Sequence, residues 1–441
     1  MPTGVVAFKN ARIITMKGNE VIENGTIVVE KNKIKAIGKA EVVSIPAGAE
    51  VIDASGKTIM PGFIDAHAHL GTFRPGLSPQ KQWSYYANLA YGVTTTHDPS
   101  SNSEMVFTQS EMVKGGQMVG PRIYSTGTIL YGADGDFKAL INNYQDAESA
   151  LKRTRAYGAF SVKSYNQPRR NQRQQVIKAA RKLKMMVCPE GGSHYMHNLS
   201  MILDGHTTVE HNLPVARLYD DVVQLWKNAE TAYTPTLIVC YGANSGEYYF
   251  YQKTNVWEKK KLLKYTPRGI IDARSRRRMM VPDEEYENGH ILVAKSCKKL
   301  EDAGVLVNLG AHGQLQGLGV HWELWLLHQG GMSNLQVLRC ATVNPAKTLG
   351  LYQEVGSLEK GKLADLIVLD KNPLDNIRNT ESVRYTMVNG RLYDTETMNE
   401  IGSRKKARSK FYWELDNYNG NFQWHEATQS FQRPKCHCGR H

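Results

Sequence analysis

Eight short β-like runs recur through the middle of the chain, each followed by an amphipathic or polar stretch. They cover residues 62–65, 93–96, 122–125, 161–164, 185–187, 208–210, 234–237 and 305–309. Strands that alternate with helical segments form parallel sheets, and eight such units close most simply into a (β/α)₈ barrel. Residues 241–290 stretch the last interval, so a helical excursion is expected there. The ends read differently. Strand-like runs at 5–8, 12–15, 26–29 and 33–37 are separated by Gly, Asn and Lys turns. The pattern returns at 366–369 and at 383–388, before Asn389-Gly390. The reading is a composite β-sandwich from residues 1–60 and 355–400, a barrel over 61–354, and a basic, aromatic tail over 401–441.

A chain of 441 residues exceeds the usual size of one hydrophobic core, which agrees with a large domain plus a small one. With 41% hydrophobic and 22% charged residues, wholesale disorder and coiled coil are excluded. No apolar run approaches the roughly 20 residues of a membrane helix, and no secretory signal is visible at Met1-Pro2-Thr3-Gly4. The net charge of +13 is spread along the chain without a nucleic-acid-binding module, so no nucleic-acid partner is expected. Six cysteines in this length do not form a disulfide framework. Cys188, Cys240, Cys297 and Cys340 read as small core residues, and a reducing, cytoplasmic compartment is preferred.

The strongest local signal is His67-Ala68-His69, after residues 59–65. Side chains two apart on a strand share a face, so both imidazoles converge on the mouth of a barrel, where barrel enzymes place their sites. Imidazole suits zinc, iron or nickel.

Met60-Pro61-Gly62-Phe63-Ile64-Asp65-Ala66-His67-Ala68-His69 resembles the first-strand signature of the amidohydrolase superfamily. Residues 360–369 (KGKLADLIVL) resemble its C-terminal signature, and residues 338–346 (LRCATVNPA) the helix between them. The resemblance covers residues 5 to about 395 and is nearest the imidazolonepropionase-related, prolidase-like branch. It is similar to the amidohydrolase domain that often follows a TolB-type β-propeller; no propeller is present in this sequence. The resemblance implies a centre of two divalent metals, zinc by expectation, bridged by a lysine that has taken up carbon dioxide as a carbamate. Lys163 matches that lysine; the alternative is a surface lysine with a snorkelling stem. Burial is expected to depress its pKa and free the amine. His211 matches the histidine of the sixth strand, against a satisfied core histidine as the plainer reading.

Two positions depart from the pattern. The fifth strand, which normally supplies a histidine, reads Met186-Val187-Cys188-Pro189-Glu190. Glu190 is the first choice of ligand, His194 or His197 the second, and Cys188 the third. His197 is also a residue that could face substrate or cap a helix. The eighth strand, which normally ends in an aspartate that is both ligand and base, reads Leu309-Gly310-Ala311-His312. His312 therefore stands as ligand and as base, with an unperturbed imidazole basicity that suits both and that two nearby cations should depress. His97 and His321 are placed on the substrate side, with a hydrogen-bonded His97-Asp98 pair as the alternative for the first. Glu323 reads as a structural acid, and the residues 436–441 (CHCGRH) as a tail rather than a zinc finger.

The expected metal set is His67, His69, Lys163, Glu190, His211 and His312, and the expected reaction is hydrolysis of a C–N bond in an amide, a proline-type peptide or a cyclic amide. Lactone hydrolysis and a non-catalytic metal-binding scaffold are the alternatives, and Lys163 argues against a one-metal deaminase. The substrate is a small molecule or short peptide, and a homo-oligomer is expected.

Overall fold

The computed structural model describes residues 2–71, 78–133, 138–192, 194–276 and 280–415. Its first sheet has nine strands drawn from both parts of the chain. β1 (Val5–Ile14), β2 (Val21–Glu30), β3 (Lys33–Lys39), β4 (Glu50–Asp53) and β5 (Thr58–Pro61) come first. β5 continues into the barrel strand β6 (Phe63–Asp65) through Gly62. The barrel strands that follow are β7 (Val93–Asp98), β8 (Arg122–Ser125), β11 (Ser161–Ser164), β12 (Met186–Pro189), β13 (Thr208–Glu210) and β14 (Ala232–Thr234); between β8 and β11 the short strands β9 (Ile129–Tyr131) and β10 (Lys138–Leu140) pair with each other. β15 (Leu366–Leu369), β16 (Val383–Val388), β17 (Arg391–Asp394) and β18 (Glu400–Ile401) then complete the first sheet.

The join between the two parts is antiparallel pairing of β5 with β15, in which Thr58 faces Leu369 and Pro61 faces Leu366. Alternate residues of β1, Val6 and Phe8, bury beside Ile27, Val29, Ile59, Leu366, Val368 and Leu392 in a core separate from the barrel's. Strands from both parts thus share one apolar face, and the sheet curls around it.

The barrel strands pair in parallel, and most of their residues are buried on both faces, as helices outside and side chains inside require. The eighth position holds a single bridge, Tyr233 to Val307. Ala66 N donates to Leu309 O at 3.0 Å and His312 N to His67 O at 2.8 Å, which closes the ring. Gly310 sits in that closure, where a Cβ would stand 2.8 Å from His67 Cβ and 2.6 Å from Thr234 Cγ2.

One sequence expectation is corrected. The seventh strand is Ala232–Thr234, not residues 234–237; Thr236 turns into the left-handed region at φ 47°, and Leu237–Val239 wind into a 3₁₀ turn whose amides Leu237 N and Ile238 N bond to Glu323, each at 2.8 Å. Residues 246–286 supply helices at Gly246–Lys253, Lys260–Tyr265, Arg268–Ser275 and Asp283–Tyr286. Up to residue 415 the tail lies on the barrel. Phe411 is buried against Tyr86, and Arg408 pairs with Glu414. The Cys436-His437-Cys438 segment lies outside the described residues. No helix among the described residues is long and apolar enough to cross a membrane.

Candidate metal centre

Each barrel strand ends at the mouth, and the mouth gathers imidazoles. His67 and His69 follow β6, His211 follows β13, and His312 follows the eighth strand position. Donor nitrogens of His67, His211 and His312 all lie within 4.8 Å of one another. The His67 ring stacks on that of His312 at 5.2 Å, and His211 meets His312 edge-on at 4.9 Å. His69 stands beside them, its ring 4.6 Å from that of His312 and partly exposed. His211 and His312 hold φ values of 66° and 56°, a left-handed backbone that is costly for a residue with a Cβ. Such strain at adjacent polar residues is a mark of functional sites.

The surroundings orient these rings. His67 Nδ1 lies 2.7 Å from Glu210 Oε2, and Glu210 is held in turn by Thr208 Oγ1 at 2.5 Å. With Nδ1 engaged, the buried Nε2 has no hydrogen-bond partner among the described residues. A carboxylate behind the ring of a ligating histidine is the usual way to fix its tautomer. Thr236 Oγ1 holds His211 Nδ1 at 2.8 Å in the same manner. Asp65 accepts from His67 N and Ala311 N, both at 3.1 Å, so one carboxylate ties the two ligand loops together. Burial pushes both Asp65 and Glu210 up to about 7.

Glu190 and Lys163 complete the wall. Glu190 Oε1 is 2.8 Å from His211 Nε2, and its other oxygen contacts Lys163 Nζ in a buried pair. Tyr241 stacks on His211 at 4.5 Å and reaches Glu190 Oε1 through its hydroxyl at 3.4 Å. Burial alone would lower Lys163, but Glu190 outweighs it, and the lysine lies above its ordinary value. The expectation of a depressed lysine is therefore corrected: its counter-ion, 27 positions along the chain and just past the neighbouring strand β12, holds it up. His312 moves in the expected direction, with burial as the main cause. Burial, then His69 and His211, push it down to about 2, so it is a neutral nitrogen donor rather than a base of ordinary strength.

Four other histidines lie apart from the cluster. His97 Nε2 meets Ser161 Oγ at 2.8 Å and its Nδ1 meets Ala66 O at 3.2 Å. His321 meets Thr380 Oγ1 at 3.1 Å and Tyr91 O at 3.0 Å. Both rings are buried with both nitrogens engaged, so neither faces substrate, and the two substrate-side assignments are withdrawn. His194 caps the helix Tyr195–Asp204, accepting from His197 N, and His197 Nδ1 turns to Arg173 at 3.4 Å. Cys188 is buried, and burial pushes its thiol up. Glu210 and Tyr241 were missed by sequence reasoning. The signal available for Glu210 was an acid next to His211 in an otherwise uncharged strand.

A parallel barrel carrying clustered histidines at its mouth defines a class of metal-dependent barrel proteins. Residues 58–393 match the amidohydrolase family, and the chain belongs to it. Among curated relatives, a 5-methylthioadenosine/S-adenosylhomocysteine deaminase of Bacillus thuringiensis (strain Al Hakam) is 45% identical over 64 residues, 14% of this chain and 15% of the relative. An imidazolonepropionase of Fusobacterium nucleatum is 50% identical over 58 residues, 12% of this chain and 14% of the relative. These matches thus span about 15% of the curated relatives' length. Among solved structures, a Xaa-Pro dipeptidase with methionine bound in its active site is similar with a TM-score of 0.68 at 20% identity, covering 89% of this chain and all of that one. Molinate hydrolase gives 0.69 at 16%, covering 90% and 96%. At such identity these two show the fold.

Proposed function

We propose that the chain is a metal-dependent hydrolase of C–N bonds, acting on an amide, a proline-type peptide or a cyclic amide at a centre of two divalent ions. The observation that carries this is the packing of His67, His211 and His312 donors within 4.8 Å beside a buried Lys163–Glu190 pair. The unpartnered Nε2 of His67 fits a metal and is costly without one. The residues that would hold the ions are His67, His69, His211, His312, Glu190 and Lys163 as its carbamate. Divalent ions supply Lewis acidity and a water that is acidic near neutral pH.

The two departures from the family pattern compensate each other. The pattern places histidine on the fifth strand and aspartate on the eighth; this chain has Glu190 and His312. One imidazole and one carboxylate have exchanged places around the same axis, so the donor count and total charge are unchanged. The missing acid is supplied from across the site, where Glu190 lies against His211. Glu190 also restrains Lys163, since an ammonium paired with a carboxylate does not add carbon dioxide. With Glu190 turned towards the centre, Lys163 would lose one proton, add carbon dioxide through its amine nitrogen and release a second proton, giving an N-carboxylate with two oxygens. Glu190, oriented by Tyr241, would be the carboxylate ligand of the centre in this reading.

Metal analysis and turnover of swapped variants test the reading. Glu190→His and His312→Asp singly should each lower turnover on amide and dipeptide substrates by roughly the 10²–10⁴-fold typical of losing a positioned acid–base group. The double variant, which restores the family arrangement, should recover much of that loss and bind two ions. Lys163→Ala should lose at least one ion. Additive losses in the double variant would refute the exchange, and a full metal complement with normal turnover in Lys163→Ala would refute the carbamate.

A further inference from the structure

A cavity of about 210 Å³, lined by none of the proposed metal ligands, opens between the barrel and the nine-stranded sheet. The start of β11, the strand β8 and the helix Ser103–Gly115 form one side; β16 and β17 form the other. An apolar cavity of about 150 Å³ is enough to hold benzene, so this one accommodates a single ring with a small substituent. Its walls include two aromatic pairs: Phe107 stacks on Tyr157 at 5.8 Å, and Tyr124 leans on Phe160 at 5.4 Å. Tyr393 closes the sheet side.

The charges on the wall do not cancel. Lys114 is paired with Glu111 at 3.3 Å, and Arg122 Nε with Asp365 Oδ2 at 2.6 Å. Among the described residues Arg391 has no carboxylate partner and its buried Nε has no hydrogen-bond partner, although its guanidinium also meets Tyr393. Its guanidinium lies over Gly116, where any side chain would collide with it. Gly116 ends the helix Ser103–Gly115, and the carbonyl end of a helix favours a cation, which holds Arg391 in place without neutralising it. A buried guanidinium donor without a partner costs free energy that a carboxylate would return.

We propose that this cavity is a second ligand site, for a small planar aromatic anion: the ring lies among Phe107, Tyr124 and Tyr157, and its carboxylate pairs with Arg391. The proposal is independent of the hydrolytic reading, since no cavity residue belongs to the metal set.

Fluorine NMR of 4-fluorobenzoate with the metal-loaded protein tests it, with 4-fluorobenzyl alcohol as the uncharged probe. The benzoate should bind saturably with a dissociation constant of about 1 mM or tighter. The alcohol should bind about tenfold more weakly, as expected for loss of a charge-assisted pair. Arg391→Gln should abolish the preference, and Arg391→Lys, which keeps the charge, should retain part of it. Val113→Trp, which fills the cavity from the helix side, should abolish binding of both probes with metal content unchanged. No saturable binding to the parent protein overturns the proposal. So does benzoate binding that is unaltered in both Arg391→Gln and Val113→Trp, which would place the carboxylate on the metals instead.

Discussion

The barrel mouth and the helix Leu318–Gln329 each bury histidine in apolar surroundings, yet they use it in opposite ways. At the mouth, His67 gives one nitrogen to Glu210 and leaves the other unpartnered and facing its neighbours. In the helix, His321 gives both nitrogens to Thr380 and Tyr91 and packs edge-on against Phe63 at 5.5 Å. Burial and residue type are the same. The difference is how many ring nitrogens the protein consumes, and it separates a ligand from a core residue more sharply than position in the chain does.

The largest expected effect comes from breaking the mouth. His67→Ala should strip at least one ion per chain, measured by elemental analysis, with turnover reduced by no less than roughly 10²-fold. A middle-sized effect tests the partner rather than the ligand. Glu210→Gln keeps the shape but releases the ring of His67, and should weaken metal retention against a chelator by roughly 10–100-fold. If retention is unchanged, the carboxylate behind His67 does not orient it. The smallest effect belongs to the helix. His321→Gln should leave metal content alone and cost about 1–3 kcal/mol in denaturant unfolding, because buried partners lose a hydrogen bond.

His321 also has a pH signature. Burial pushes it down to about 3, against roughly 6.5 in the unfolded chain. As pH falls through 6.5 the unfolded chain takes up a proton that the folded chain refuses until about pH 3. The stability present above pH 6.5 is therefore lost across that window, and His321→Gln should flatten the decline. An unchanged slope would mean that His321 is already protonated in the fold.

Much of the architecture was legible because it is written in local pattern. The eight runs alternate with amphipathic segments, and residues 60–69 carry a motif whose spacing alone puts two imidazoles at a strand end. What escaped was every property that depends on a distant partner. That His97 is consumed by Ser161 and Ala66 is a fact of three-dimensional contact, invisible in the dipeptide His97-Asp98. The charge state of Lys163 depended on Glu190 lying across a strand boundary, and burial alone pointed the wrong way. The seventh strand was displaced because residues 234–237 carry two β-branched threonines that suit a strand, while Glu323 claims the amides of Leu237 and Ile238 for a turn.

The pairing of β5 with β15 has a consequence for the order in which the molecule can assemble. Ile59 faces Val368, so the first strands leave the ribosome long before their neighbour exists. During synthesis β5 is an open edge at the threshold of the barrel, exposed while the barrel strands emerge. The sheet can be finished only after residue 369 has been made, and the barrel's first strand, joined to β5 by Gly62, is anchored by one of the last pieces of chain to appear. Contacts this distant in sequence form slowly, and unpaired edges invite association in the interval. A nascent chain stalled before β15 should therefore be sensitive to protease and prone to aggregate, and release past that strand should mark the point at which both cores become protected.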